Sequence, residues 1–252
     1  MGLYKSTIVG LLVMTGLIVV TDTCSAKSML GSKHDLTSLD KRAGTGVMVG
    51  VAFENYQSTC IYCHTPHRPE SEASEGKAPL WNREYPVTEY KLYQSPTLDA
   101  DITQPAGITL ACLSCHDGSL AVDRVMKRPP VGDDAQDLPK NHMRIARGGG
   151  DAQCSQCHRK GNENINGIHD LGIAAFGNNL SDDHPVSVTY PSKLLDKQFH
   201  PQPGNGVFAN GVKLFNGRVE CASCHDVHNA ETKPFLRASL QGSSLCVTCH
   251  IK

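Results

Sequence analysis

The chain is 252 residues long, with 19% charged and 6% aromatic residues and a formal net charge of −1 at pH 7. Charge this balanced offers no basic surface for nucleic acid, and so few aromatic residues argue against a large core built from side chains alone. The outlying count is eleven cysteines, against a single tryptophan.

The chain opens with Lys5, an apolar run from Ile8 to Val20, and a polar stretch ending in Cys24-Ser25-Ala26. This is the layout of a secretory signal peptide over residues 1–26, with cleavage before Lys27. The apolar run is shorter than the roughly 20 residues a membrane-spanning helix needs. Two rival readings of this segment remain: Cys24 as a lipidated N-terminus, or an uncleaved anchor. Thr21-Asp22-Thr23 is a poor lead-in for lipidation. Residues 27–252 then read as one domain.

Five copies of Cys-x-x-Cys-His follow at unequal intervals: Cys60, Cys63 and His64; Cys112, Cys115 and His116; Cys154, Cys157 and His158; Cys221, Cys224 and His225; Cys246, Cys249 and His250. Two thiols three residues apart lie on one side of a helical turn, where each can add to one vinyl group of a haem, and the next histidine points at the iron. The motifs use ten of the eleven cysteines, leaving Cys24. Zinc knuckles, redox dithiols and disulfide frameworks also use paired cysteines but do not require the trailing histidine. The pattern predicts five covalently bound haem c groups, with the five motif histidines as proximal iron ligands. Export agrees with this, since bacteria attach haem c outside the cytoplasmic membrane.

Between the motifs the sequence is rich in chain breakers. Arg68–Pro79 is polar, Lys127–Lys140 carries Pro129-Pro130, Gly148–Gly150 is a triple glycine, and Pro201–Gly211 mixes prolines and glycines. Ser58 or Thr59 is placed to cap a short helix into Cys60, and Ser243 or Ser244 one into Cys246. Alternation of Val186, Val188 and Tyr190 predicts a short strand. The expected fold class is a multihaem cytochrome c: mostly irregular, with short α-helices around a stacked haem array and little β-structure.

Seven histidines remain outside the motifs: His34, His67, His142, His169, His184, His200 and His228. His67 and His228 each follow a motif histidine by three residues, in CIYCHTPH and CASCHDVH. Axial ligands approach an iron from opposite faces of the porphyrin, so a neighbour three residues away cannot reach round the ring. Each must serve a different haem or none. His34, His169 and His184 sit beside aspartates that can orient an imidazole. His34, His67, His169, His184 and His228 are the predicted distal ligands, with His142 and His200 as alternates. Met29, Met48, Met126 and Met143 are further candidates, but the surplus of histidine predicts bis-histidine irons of low potential.

The segments CIYCHTPH, APLW at Ala78–Trp81, CLSCHDG, DHPVSV, CASCHDVH and LCVTCH, in that order, resemble multihaem cytochromes c with doubled Cys-x-x-Cys-His motifs. These include the OmcE-type cytochromes that polymerise into extracellular filaments. The resemblance spans most of residues 27–252. It implies closely spaced bis-histidine haems, His34, His67, His184 and His228 among the distal ligands, and a homopolymer that borrows a histidine between subunits. One departure stands out: the four-haem pattern has no counterpart to CSQCH at Cys154–His158, so a motif is inserted between Ser119 and Asp182.

Irons closed on both faces leave no easy place for a substrate. The expected activity is therefore electron relay between redox partner proteins or extracellular acceptors, by an exported protein of the cell surface, the extracellular space or the periplasm. A soluble periplasmic shuttle, or a reductase of nitrite or hydroxylamine with one open iron, are the competing readings.

Overall fold

The computed structural model describes residues 28–38, 56–65, 78–120, 122, 124–127 and 177–251. The expected signal peptide lies outside them. Among the described residues no helix is long and apolar enough to cross a membrane.

Regular elements are short. Helix α1 is Gly107–His116 and helix α2 is Cys221–Cys224; strand β1 is Val188–Thr189 and β2 is Arg218–Val219; 3-10 turns cover Leu36–Ser38, Thr59–Tyr62, Gln241–Ser243 and Cys246–Thr248. The second, fourth and fifth attachment motifs thus sit on α1, α2 and the last turn.

Helix α1 starts at Gly107 (φ 51°) and stops before Gly118 (φ 75°), two left-handed positions that favour glycine and so bracket the helix. It buries Thr109, Ala111, Leu113 and Ser114. Leu113 packs with Tyr90 and Leu180 in one apolar cluster. Cys112, Cys115 and His116, related by three- and four-residue steps, share a half-exposed face. Tyr90 hydroxyl donates to the Asp117 carboxylate at 2.7 Å, which ties the helix end to the cluster. A second cluster joins Tyr56, Tyr62 and Val125, with Leu36, Ile61 and Cys63 against it.

The β-structure is a single antiparallel pair among the described residues, with Val188 opposite Val219 and Thr189 opposite Arg218. The alternation at 186–190 therefore yields only two strand residues, because Val186 turns instead toward the Tyr90 cluster. Glu220, the residue after β2, is buried. It accepts hydrogen bonds from the hydroxyls of Thr109 and Ser187, the latter at 2.8 Å, and pairs with Arg218 Nε at 3.5 Å.

Two expected caps are corrected. Ser58 stands at the N-cap of the Thr59–Tyr62 turn but makes no side-chain cap bond, and Leu245, not Ser243 or Ser244, occupies that position before Cys246. The motif that does have a cap is the fourth, where Glu220 accepts from the Ser223 N–H and Ser223 Oγ accepts from the Glu220 N–H at 2.9 Å.

Candidate haem attachment sites

The first and fourth motifs are built alike. After Cys60–His64 the chain returns with Pro79–Asn82, and after Cys221–His225 it returns with Pro234–Arg237. His64 Nδ1 lies 2.8 Å from the Pro79 carbonyl, and His225 Nδ1 lies 3.0 Å from the Pro234 carbonyl. A carbonyl only accepts, so each Nδ1 carries the proton and each Nε2 is left with its lone pair for a metal. The Thr65 N–H donates to Leu80 O at 2.9 Å, and Asp226 N–H to Phe235 O at 2.7 Å. Asn82 N–H donates to Cys63 O at 2.8 Å, and Arg237 N–H to Cys224 O at 2.8 Å. Leu80 and Phe235 both adopt positive φ, at 52° and 62°. Four correspondences of this kind define a structural repeat.

Three histidine pairs come together. His64 stacks with His228, ring centroids 6.2 Å apart and planes inclined by 19°. His34 meets His116 at 5.9 Å, and His184 meets His250 at 6.4 Å. Each pair joins a motif histidine to one from outside the motifs. Two metal–imidazole bonds of about 2 Å each, plus roughly 1 Å from each coordinating nitrogen to its ring centre, put two axial rings about 6 Å apart. The donor set therefore fits haem iron held between two imidazoles. Burial and the neighbouring His228 outweigh the Pro79 bond and hold His64 below the ordinary histidine value, which favours the neutral, metal-binding form.

The thiols suit the same group. All eight described motif cysteines are free, with Cys60 and Cys246 exposed and the others half-exposed. Burial, together with the neighbouring Cys115 thiol, pushes Cys63 up to about 12, against a smaller lowering by Arg83. Burial and Cys224 likewise push Cys249 up to about 11. Beside His64, Trp81 Nε1 is buried with no hydrogen-bond partner. The indole stands edge-on to the imidazole, centroids 5.8 Å apart. A buried indole N–H at this point fits an acceptor supplied by the cofactor, such as a propionate.

Neighbouring residues hold the motifs against one another. Asn82 bonds to the first motif, and buried Arg83 donates to Ser114 O of the second at 2.9 Å and to the carbonyls of Val122 and Arg124 at 2.7 and 3.0 Å. Cys221 N–H of the fourth motif donates to Thr109 Oγ1 of α1 at 3.2 Å. The thiols of Cys112 and Cys221 hydrogen-bond each other, which raises Cys112 and lowers Cys221. Residues 210–213 join the fourth and fifth motifs: Lys213 N–H donates to Ser223 O at 3.3 Å, and Asn210 Nδ2 to Thr248 Oγ1 at 2.5 Å.

His34 is positioned through its neighbour. Asp35 accepts from Gly31 N–H at 2.8 Å, Thr37 Oγ1 at 2.5 Å and Thr59 Oγ1 at 2.9 Å, so the segment carrying His34 is anchored just ahead of Cys60. His200 is exposed; its backbone N–H donates to Cys249 O at 2.8 Å, and Phe199 before it packs on His250 at 4.4 Å. Cys154, Cys157, His158, His67, His142, His169, Met48 and Met143 lie outside the described residues. Sequence reasoning noted the segment Ala78–Trp81 but gave the Pro79 and Pro234 carbonyls no role, although Pro79-Leu80-Trp81 and Pro234-Phe235-Leu236, each a proline and two large apolar residues after a motif, were a usable signal.

Residues 214–252, which hold the fourth and fifth motifs, match the family model described as the doubled CXXCH motif. No curated protein matches the chain. The matched motif indicates covalently bound haem c, and it agrees with an electron carrier rather than an enzyme. Together, the matched pair and the repeated attachment motifs support a c-type multihaem cytochrome, a haem-binding electron-transfer protein.

Proposed function

We propose that the chain binds five haem c groups, that their irons have histidine on both faces, and that it relays single electrons along them. The observation that carries this reading is the set of three imidazole pairs at 5.9, 6.2 and 6.4 Å. Haem c, when bound, supplies a one-electron ferric/ferrous couple. The cysteines hold it by thioether bonds, so it stays with the chain. Histidine pairs leave no exchangeable position, which favours electron transfer over substrate chemistry. The Pro79 and Pro234 carbonyls fix which nitrogen of His64 and His225 is the ligand and make the imidazole more basic. Hydrogen bonds between motifs hold the attachment points side by side, and tunnelling rewards this because it falls off exponentially with edge-to-edge distance.

His34, His184 and His228 are the distal ligands of the second, fifth and first haems; His67 and His169 are assigned to the remaining two from the sequence. Mass spectrometry of the exported protein tests the count, and electron paramagnetic resonance tests the ligation. Five haems and low-spin ferric signals throughout are expected. A colourless protein, or a high-spin signal that shifts with cyanide, would overturn the reading.

The proposal extends to an exported, extracellular homopolymer, on the strength of the resemblance to filament-forming cytochromes. Negative-stain microscopy tests it: fibres with five haems per subunit repeat are expected, and monodisperse monomers at all concentrations would refute it.

A further inference from the structure

The backbone frames that close the first and fourth motifs match position by position, and their side chains do not. His64 and Trp81 face each other across one antiparallel bridge, and His225 and Leu236 across the other. Trp81 therefore stands where the fourth motif has Leu236. Thr65 corresponds in the same way to Asp226, each N–H donating to the carbonyl of the residue with positive φ in the returning segment. Asn82 corresponds to Arg237, each N–H donating to the carbonyl of the motif's second cysteine.

Two of these three exchanges cancel in charge. Thr65 and Asn82 are neutral, while Asp226 and Arg237 carry opposite charges and pair with each other, Nη1 to Oδ2 at 3.3 Å. The third exchange does not cancel. The fourth motif sets a buried hydrocarbon against its histidine, Leu236, 5% exposed. The first sets an indole there, edge-on to His64 with centroids 5.8 Å apart. Trp81 Nε1 is buried and has no hydrogen-bond partner among the described residues. An indole N–H only donates, and buried donors in native proteins almost always meet an acceptor. Of the groups on the periphery of haem c, only the propionates carry oxygen.

From this exchange we infer that Trp81 binds a propionate of the haem held at Cys60 and Cys63, and that the bond raises the potential of that haem. The inference rests on the proposed haem loading but not on filament formation. An ionised propionate places negative charge beside the ring and opposes the arrival of an electron. An N–H bonded to the carboxylate offsets part of that charge, so the ferrous state gains relative to the ferric. Leu236 has no donor, and the haem of the fourth motif goes without this shift. One residue thus makes two sites built on the same frame unequal, and unequal sites give a relay direction.

The test uses the full loaded protein. Trp81→Leu copies the side chain of the fourth frame into the first. The haem count is taken by mass, and potentials are read by spectroelectrochemical titration in a buffer alkaline enough to keep propionates ionised. An unchanged count with one redox component shifted downward is expected; no shift, or an upward one, overturns the inference. Trp81→Phe keeps a ring in the site but lacks the donor, and should repeat the downward shift. Retention of the original potential in that variant would assign the effect to ring packing and refute the bond. A density map of the unaltered loaded protein gives a reading that needs no substitution and decides the matter if a variant loses a haem. A propionate oxygen at hydrogen-bond distance from Nε1 is expected, and a water or a protein atom in its place refutes the bond while the haem reading stands. A colourless protein overturns the haem reading and this inference with it.

Discussion

The imidazoles of His64 and His228 lie almost parallel, 19° apart in plane and 6.2 Å apart at their centres, although each follows a different attachment motif. His228 stands three residues past His225, too near to serve the far face of an iron that His225 would hold under the proposed ligation. The pairing links the first motif to the segment of the fourth, so the two rings proposed for one iron come from positions far apart in the sequence.

Replacing His228 by alanine should therefore open the first iron and leave the fourth closed. The expected result is a full haem complement by mass, one new high-spin signal, and cyanide binding at a single site. Loss of a haem instead, or no spectral change, would separate His228 from the first iron.

Glu220 is the acceptor for two buried hydroxyls from separate segments, Thr109 and Ser187. Glu220→Ala takes from both hydroxyls the acceptor of their protons and removes the cap of α2, at a cost of about 3 kcal/mol. Thr109→Val, which deletes one donor, should cost about 1 kcal/mol. Thermal unfolding of the loaded protein measures both; equal melting temperatures in the two variants would contradict the shared role of Glu220.

Trp81 is the sole tryptophan, edge-on to His64 with a buried indole nitrogen. Its emission should be almost extinguished in the loaded protein and return when Cys60→Ala with Cys63→Ala removes the first haem. Trp81→Phe should leave the haem count unchanged but shift the potential of one haem, since the indole N–H no longer reaches an acceptor. Full fluorescence in the loaded protein would place the first haem elsewhere.

Asp35 gives a pH dependence. Burial raises its value, but hydrogen bonds from Thr37, Gly31 and Thr59 outweigh burial, and the carboxyl ends below the ordinary 3.8. With the folded value depressed, the stabilisation is present above the ordinary carboxylate value and is lost as pH falls through the folded one. Acid titration should release His34 from the second iron in that window, seen as a high-spin transition. Asp35→Asn should show the same change near neutral pH or remove the acid step; an unaltered acid profile would dissociate Asp35 from the His34 segment.

What the sequence revealed was what is local in it. A motif such as Cys112–His116 is legible because its chemistry depends on spacing within one turn, and the irregular stretch Pro201–Gly211 was legible from its prolines and glycines. The caps were not: Ser243 and Ser244 look like helix starters, yet the turn at Cys246–Thr248 begins at Leu245. Nor was the partner of each motif histidine, because ring pairs such as His34 with His116 are set by tertiary packing, and nothing in His34-Asp35-Leu36 specifies α1 as the destination. Asp35 contributed a cue as an acidic neighbour, but its bond runs to Thr59 and so positions the backbone rather than the imidazole. The Pro79 and Pro234 returns show a third limit: a repeat held mainly by backbone hydrogen bonds leaves few side chains to mark it.

The pairing of His64 with His228 also sets a schedule. In the proposed exported cytochrome, the thiols of Cys60 and Cys63 are made long before the ring that pairs with His64, so the first motif is completed only after the fourth has been made.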